Sequence, residues 1–337
     1  MVFRIALAAG WRGIAWCVLL FSNPAMADDI ALGFPADCAI GKTCWIQQYA
    51  DHDGSKAAQD YACGGQTYDG HDGTDIRVKD MSAKVDVIAA ADGIVLGSRD
   101  GEADWLVRTE ADRAVVKDKE CGNGVLLDHG NGWQTQYCHM RRGSVVVKKG
   151  ERVLKEQTLG EVGASGFAAF PHVHLTVRKD GEPVDPFNAQ PVADPLCGAA
   201  EATLWSADAL DVLGPAAGYR PGDVIGLGFA PGRVEMAALE EGRQTAGTIA
   251  SDWPAIVGYA WMINLRKDDT MTLTLEGPGG FNVKNTIKLD RDKAQYLIFT
   301  GKKPPQGGWT KGAYSARVTV SDAKSTRIDE KSEAQLK

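Results

Sequence analysis

Six histidines occur in the chain, and two of them stand one residue apart in Pro171-His172-Val173-His174-Leu175-Thr176-Val177-Arg178. Val173, Leu175 and Val177 alternate with polar neighbours, the period of a strand. Both imidazoles therefore leave on one face, side by side, opposite the apolar set. Imidazole binds transition metals and titrates near neutral pH, so such a pair suits metal coordination or acid–base work. Alone, the pair does not choose between them. Candidate partners exist. His71 and Asp75 lie in Gly70-His71-Asp72-Gly73-Thr74-Asp75-Ile76, where Gly70 and Gly73 permit a tight turn running into a strand. His139 ends the apolar-polar run Trp133 to Met140. A catalytic zinc site takes three protein ligands, often histidine and a carboxylate, and leaves a position for water. His71, Asp75, His139, His172 and His174 would fill such a site and leave two histidines to act on the water and on a scissile carbonyl.

The other two histidines read differently. His129 abuts the turn Gly130-Asn131-Gly132, at the far end of its hairpin from His139, and suits a structural role such as bonding turn backbone. His52 sits in Asp51-His52-Asp53 beside Gly54-Ser55, which reads as a polar turn.

Strands must carry the candidates. Gly122 to Met140 is a hairpin about Gly130-Asn131-Gly132, and folding it back brings Cys121 near Cys138 or His139. Val85 to Leu96 reads as two strands about Asp92-Gly93, and Ser144–Val147 and Arg152–Leu154 as short strands. Arg99 to Glu120 is charged and poorly patterned, either a long loop or a short helix around Ala103 to Val107. Residues 198–337 hold no Cys and no His. Their period-2 stretches, Thr270 to Glu276 and Ala313 to Val320, are punctuated by Gly277-Pro278-Gly279-Gly280 and Pro304 to Gly308, as in a β-sandwich, the immunoglobulin-like form among them. Trp261 and Trp309 read there as packing residues.

Arg4 and Arg12, the apolar run Gly13 to Phe21, and Ala25-Met26-Ala27 have the form of a secretory signal peptide. Without it the net charge goes from −7 to −9, a surface that repels nucleic acid. No later run is apolar enough to span a bilayer. Six cysteines remain, Cys38, Cys44, Cys63, Cys121, Cys138 and Cys197, an even number in an exported chain, which suggests disulfides rather than metal ligands. The expected organisation is a signal peptide at 1–27, a disulfide-tied extension at 28–66, a site-bearing domain at 67–197, a β-sandwich at 198–325 and a flexible charged tail at 326–337.

In order, Gly70 to Ile76, Gly93-Ile94-Val95, Gly124 to Gly130, Thr135 to Met140, Gly160 to Gly166, Pro171 to Leu175 and Gly181 to Pro186 resemble the motifs of the lysostaphin/LytM-type (M23) zinc metallopeptidases. The resemblance covers about residues 68–188. It implies an all-β fold, an antiparallel peptidase sheet followed here by the sandwich. It implies zinc held by His71, Asp75 and His174, with His139 and His172 as the catalytic histidines beside it. The implied activity is exported, periplasmic or secreted, endopeptidase cleavage of peptidoglycan stem peptides or cross-links. In a Gram-negative periplasm these would be of the D-Ala–meso-diaminopimelate type. The alternatives are a non-catalytic scaffold or regulator of cell-wall hydrolysis on the same fold, and a zinc peptidase acting on a secreted protein. The C-terminal domain would position the enzyme on the wall, cover the groove or bind a protein partner. The chain departs from the family pattern at Leu175-Thr176, where an aromatic and then an acid are usual, and at Phe167-Ala168-Ala169-Phe170, where small polar residues are usual. Both departures lie where groove walls are expected.

Overall fold

The computed structural model describes residues 30–195, 197–198, 202–244 and 248–337. The expected signal peptide, with Cys17, lies outside the described residues. The first sheet is antiparallel throughout. Its strands are β1 (Cys44–Gln48), β2 (Thr74–Val78), β4 (Gly93–Arg99), β5 (Asn123–Gly130), β6 (Trp133–Met140), β7 (Arg152–Val153), β9 (His172–Lys179), β10 (Glu182–Asp185) and β11 (Gln190–Pro191), while β3 (Asp86–Ile88) and β8 (Thr158–Glu161) pair separately. The main path runs β1-β2-β9-β6-β5-β4-β7, with β10 on β9. Strand β9 thus lies between β2 and β6, and its register sets Asp75 beside His174 on one side and Cys138 beside His174 on the other. Val173, Leu175 and Val177 are buried on the opposite face. Each contributes roughly 1.5–3 kcal/mol by burial, and a one-residue slip would turn the histidines into the core.

The same core continues beyond the expected boundaries. It runs from Leu32 and Phe34 to Leu204, Trp205 and Leu213. Strand β1, in the expected extension, pairs with β2 at the sheet edge. Tyr49, Tyr61, Phe187 and Tyr219 pack ring on ring at centroid distances of 4.9–5.8 Å. Disulfides join Cys38 to Cys44, Cys63 to Cys197 and Cys121 to Cys138, the last as the hairpin suggested. The segment Arg99 to Glu120 holds a helix, but α1 is Glu110–Val115 rather than Ala103–Val107. Thr109 and Asp112 cap it reciprocally, a T-x-x-D capping box legible in the sequence. Helix α2 (Ala207–Leu213) closes the first module.

Two further antiparallel sheets follow. One has the order β12 (Asp223–Ala230), β13 (Ile256–Leu265), β16 (Lys293–Lys302); the other has β15 (Phe281–Lys288), β14 (Thr270–Gly277), β17 (Gly312–Ser321), β18 (Thr326–Leu336). They share a core of Phe229, Ala260, Met262, Leu273, Ile298 and Val318 among others, a β-sandwich. Strand β13 is buried on both faces, because Tyr259, Trp261 and Ile263 turn outward to pack with Trp45 of β1. Helix α3 (Met236–Glu240) joins that packing through Leu239. The expected flexible tail at 326–337 is instead strand β18, paired with β17 along its length. Only Ile328 and Leu336 of it are buried, so its ladder, not an apolar stripe, holds it. No helix among the described residues is long and apolar enough to cross a membrane.

Candidate active site and metal centre

Three donor atoms converge. His71 Nε2 lies 3.1 Å from Asp75 Oδ1 and 3.1 Å from His174 Nδ1, and His174 Nδ1 lies 2.9 Å from Asp75 Oδ1. Asp75 and His174 arrive as register partners on β2 and β9, and His71 from the preceding turn. That turn passes close over β9: a Cβ on Gly73 would stand 2.3 Å from the Leu175 carbonyl oxygen and 2.7 Å from His174 Nε2. Any larger residue there would displace the ligand set.

The outer nitrogens fix the inner ones. His71 Nδ1–H donates to the Tyr49 carbonyl at 2.7 Å, which leaves the Nε2 lone pair for the centre. His174 Nε2–H is shared by Thr176 Oγ1 at 2.9 Å and Asp72 Oδ1 at 3.2 Å, which leaves Nδ1. This arrangement is that of a metal-binding histidine oriented by its second nitrogen. The donor set, two imidazoles and one carboxylate, is one that zinc accepts, and the spacings are near the ~3.3 Å edge of a tetrahedron with ~2.0–2.1 Å arms. Without a cation, three lone-pair donors face one another and a proton must intervene. Burial opposes that proton on His174, but the Asp72 and Asp75 carboxylates outweigh it and raise the imidazole to about 9. Burial likewise works against ionised Asp75, and His71 and His172 overcome it, so the carboxyl sits well below the usual range. The triad His71, Asp75 and His174 is thus built to hold a positive charge.

His139 and His172 stand beside the triad, ring centroids 4.5 Å apart. Each has one nitrogen engaged. His139 Nδ1–H donates to the Ser165 carbonyl at 2.8 Å, and His172 Nδ1–H to the Phe170 carbonyl at 2.7 Å. Both Nε2 atoms remain for chemistry; that of His172 is 3.4 Å from Asp75 Oδ1. Burial lowers both imidazoles, His139 strongly with help from His172 and His174, so both are neutral near pH 7.

His139 has left-handed backbone, φ 63°, a conformation costing about 1–3 kcal/mol outside glycine. Its surroundings enforce it. His139 N–H donates to the Cys121 carbonyl at 2.8 Å, and the preceding residue is tied to Cys121 by the disulfide. Behind it, Ser165 Oγ–H donates to the Met140 carbonyl and accepts from Asn123 N–H. Gly122, φ 62°, is required there, since a Cβ would stand 2.3 Å from the Ser165 backbone.

The five candidates are therefore brought together, and the other two histidines are not. His129 bonds the Asp92 carbonyl and Thr135, and His52 bonds Asp185 and the Asp194 carbonyl. Sequence reasoning missed Asp72 and Thr176 as partners of His174. Their signal was available: Thr176 shares the His174 face of β9, and Asp72 adjoins His71. Thr176 thus occupies the place of the acid usual in the family and still accepts from His174. The site opens on a cleft of about 250 Å³ lined by Tyr68, Gln136, Phe167 and Arg178 besides the triad histidines. It shares Gly70, His71 and Asp72 with one neighbouring hollow, and Cys121 and Gln136 with another. The half-exposed Phe167 at its rim is covered by Arg113 of α1.

Comparison with known proteins gives part of the chain a family. The family model for peptidase family M23 matches residues 69–186. The peptidoglycan DD-endopeptidase ShyA of Vibrio cholerae is 35% identical over 86 residues, 25% of this chain and 20% of that protein. The DD-carboxypeptidase/endopeptidase Mpg of Neisseria meningitidis is 32% identical over 83 residues, 24% and 19% of the two chains. A crystal structure of a zinc-containing peptidase from Vibrio cholerae aligns at 24% identity and a TM-score of 0.32, over 47% of this chain and 39% of that one. The chain spans about a fifth of the length of the curated relatives it matches. Three disulfides fit an oxidising, extracytoplasmic compartment. The match of residues 69–186, which contain every member of the His/Asp triad and both neighbouring histidines, gives the chain a peptidase family M23 domain.

Proposed function

We propose that the protein is a zinc-dependent endopeptidase acting on peptide cross-links of peptidoglycan in the periplasm. The observation that carries this reading is the convergence of His71, Asp75 and His174 beside two further neutral histidines, at a cleft lined by His71, His139 and His174. His71, Asp75 and His174 would hold the metal. Zinc bound there would lower the pKa of a coordinated water towards about 7 and polarise the scissile carbonyl. His139 and His172, held by the Ser165 and Phe170 carbonyls, present Nε2 lone pairs that accept the proton of the attacking water. As imidazolium, the same groups donate to the developing oxyanion and return the proton to the leaving amine. Water adds across the amide, and the products are one carboxylate and one amine.

The cleft adjoins two further hollows through shared lining residues, which gives room for more of a peptide chain than the scissile bond alone. One neighbouring hollow carries Asp53, Asp69 and Glu182, the cleft itself Arg178, and the other hollow Arg99. A D-Ala–meso-diaminopimelate cross-link, which carries ammonium and carboxylate groups, suits that polarity. The scaffold alternative has no support from a missing ligand, because all five groups are present and oriented. The test is to incubate the protein with purified sacculi, with and without a chelator, beside His174→Ala, and to identify products by mass spectrometry. New peptide ends that need metal and are absent with the variant are expected. Zinc bound stoichiometrically without any cleavage would favour the scaffold.

A further inference from the structure

Arg77 has no counterpart in the chemistry above, yet it is the most deeply buried cation described, with 0% of its surface exposed. It follows Asp75 by two residues on β2, and so shares the face of that carboxylate. In the β2–β9 register it stands opposite His172. Its guanidinium carbon lies over two rings, 5.0 Å from the centroid of Phe170 and 4.9 Å from that of Trp261. Nη1 donates to Gln47 Oε1 at 2.5 Å and to Gln295 Oε1 at 3.0 Å. Gln295 Oε1 also accepts from Trp261 Nε1 at 3.2 Å. Burial pushes Arg77 down to about 10, against the attraction of Glu240 and Asp80, so it stays charged at neutral pH.

Two modules build this arrangement. Gln47 and Phe170 belong to the peptidase sheet and its approach to β9; Trp261, Gln295 and Glu240 belong to β13, β16 and α3. A guanidinium over two aromatic faces gains from both, most strongly when water is excluded. The stack continues at Phe170. The Phe170 ring lies 4.6 Å from the His172 ring, and the Phe170 carbonyl accepts from His172 Nδ1–H. The contacts form an unbroken series: Trp261, Arg77, Phe170, His172. Phe170 belongs to the apolar Phe167–Phe170 run that sets this chain apart from the family pattern.

We propose that Arg77 is a positioning residue for His172, clamped from the C-terminal module by Trp261 and Gln295, so that the sandwich is part of the catalytic assembly and not only an appendage to it. The clamp acts on the orientation of His172 through Phe170, and none of Arg77, Phe170 and Trp261 lines the cleft itself. It rests on the reading of His172 as a working group, and its test is chosen to separate the two.

Arg77→Met keeps length and apolar contact but removes the charge. With a soluble cross-linked peptide dimer from peptidoglycan, kcat is expected to fall on the order of 10–100-fold, with KM and bound zinc nearly unchanged. Trp261→Leu should behave like Arg77→Met, and Trp261→Phe, which keeps an aromatic face, should stay near wild type. Gln295→Leu, at a half-buried position and so mildest on folding, should lower kcat several-fold and carries the test if Arg77→Met does not fold. The second readout needs no turnover: the His172 ring signals in a histidine-labelled NMR spectrum, assigned by their loss in His172→Gln, should move in Arg77→Met and Trp261→Leu. Folded variants with wild-type kcat, or with unmoved His172 signals, would overturn the clamp. A wild-type protein that cleaves nothing would instead remove the peptidase reading, and the ring signals would still decide the clamp.

Discussion

All six histidines pair with an acceptor, but in two ways. His52 has both nitrogens engaged inside the fold, by Asp185 Oδ2 at 3.0 Å and the Asp194 carbonyl at 3.0 Å, and His129 has both engaged by the Asp92 carbonyl and Thr135. His139 and His172 each have one nitrogen held by a backbone carbonyl, while His71 is held by the Tyr49 carbonyl and His174 by Thr176 and Asp72. In His71, His172 and His174 the remaining nitrogen lies 2.9–3.4 Å from Asp75 Oδ1, and the His139 ring lies beside that of His172. The buried pair His52–Asp185 and the buried set His71–Asp75–His174 have the same residue types and similar burial. What separates cement from site is the unengaged lone pair, not the presence of histidine beside aspartate.

The sharpest way to break this comparison is to remove histidines one at a time. His139→Ala and His172→Ala should each lower the cleavage rate by about 10²–10⁴-fold while zinc, measured by mass spectrometry, stays bound. His71→Ala should lose both metal and activity, and His129→Ala neither. Comparable losses at His129 and His172 would erase the distinction. A smaller effect is expected one layer out. Asp72→Asn keeps an acceptor for His174 Nε2–H but removes its charge, so zinc affinity should fall by about 10-fold or somewhat more, read by competition with a chromophoric chelator. Thr176 would still hold the ring.

The Cys121–Cys138 link separates aim from stability. The double variant Cys121→Ser, Cys138→Ser should lose about 3 kcal/mol by loop-closure entropy. Because His139 is held left-handed beside Cys121, its cleavage rate should also fall well below wild type at a temperature where both remain folded. An unchanged rate in the folded variant would leave the disulfide a stabiliser alone.

Much of this site was legible. The period-2 run after His172 put two imidazoles on one face, and the glycine-rich turn and the Gly130–Gly132 hairpin supplied the other three candidates, His71, Asp75 and His139. The parts that were not legible share a cause. Tyr49, Ser165, Phe170 and Cys121 contribute carbonyl oxygens, which any residue carries, so side-chain type gives no signal. Strand β1 is buried along its whole length and has no alternation to read. Strand β18 has the opposite defect: its exposed charges read as a tail, because its backbone ladder carries the pairing. Arg77 could not be foreseen as buried, since its partners are scattered along the chain, Gln47 on β1, Phe170 before β9, and Trp261 and Gln295 on β13 and β16.

The smallest effect concerns the cement histidine and has a definite sign. Burial opposes the charged form of His52, but the hydrogen bond to Asp185 prevails and raises it above its ordinary value of 6.5. Folded His52 therefore holds its proton more tightly than unfolded His52. The stabilisation is fully present below about pH 6.5 and is lost as pH rises through the raised folded value. His52→Gln keeps a donor for Asp185 but cannot carry the charge. The gap in unfolding free energy between wild type and this variant should be larger near pH 5.5 than at pH 9, in urea titrations at the two values. His174, raised to about 9 in the metal-free protein, adds a similar slope to both proteins and cancels in the difference. Activity per folded molecule should not change at either pH. A variant that lost activity in proportion to the missing proton would place His52 among the working histidines, on the wrong side of the line drawn by the engaged nitrogens.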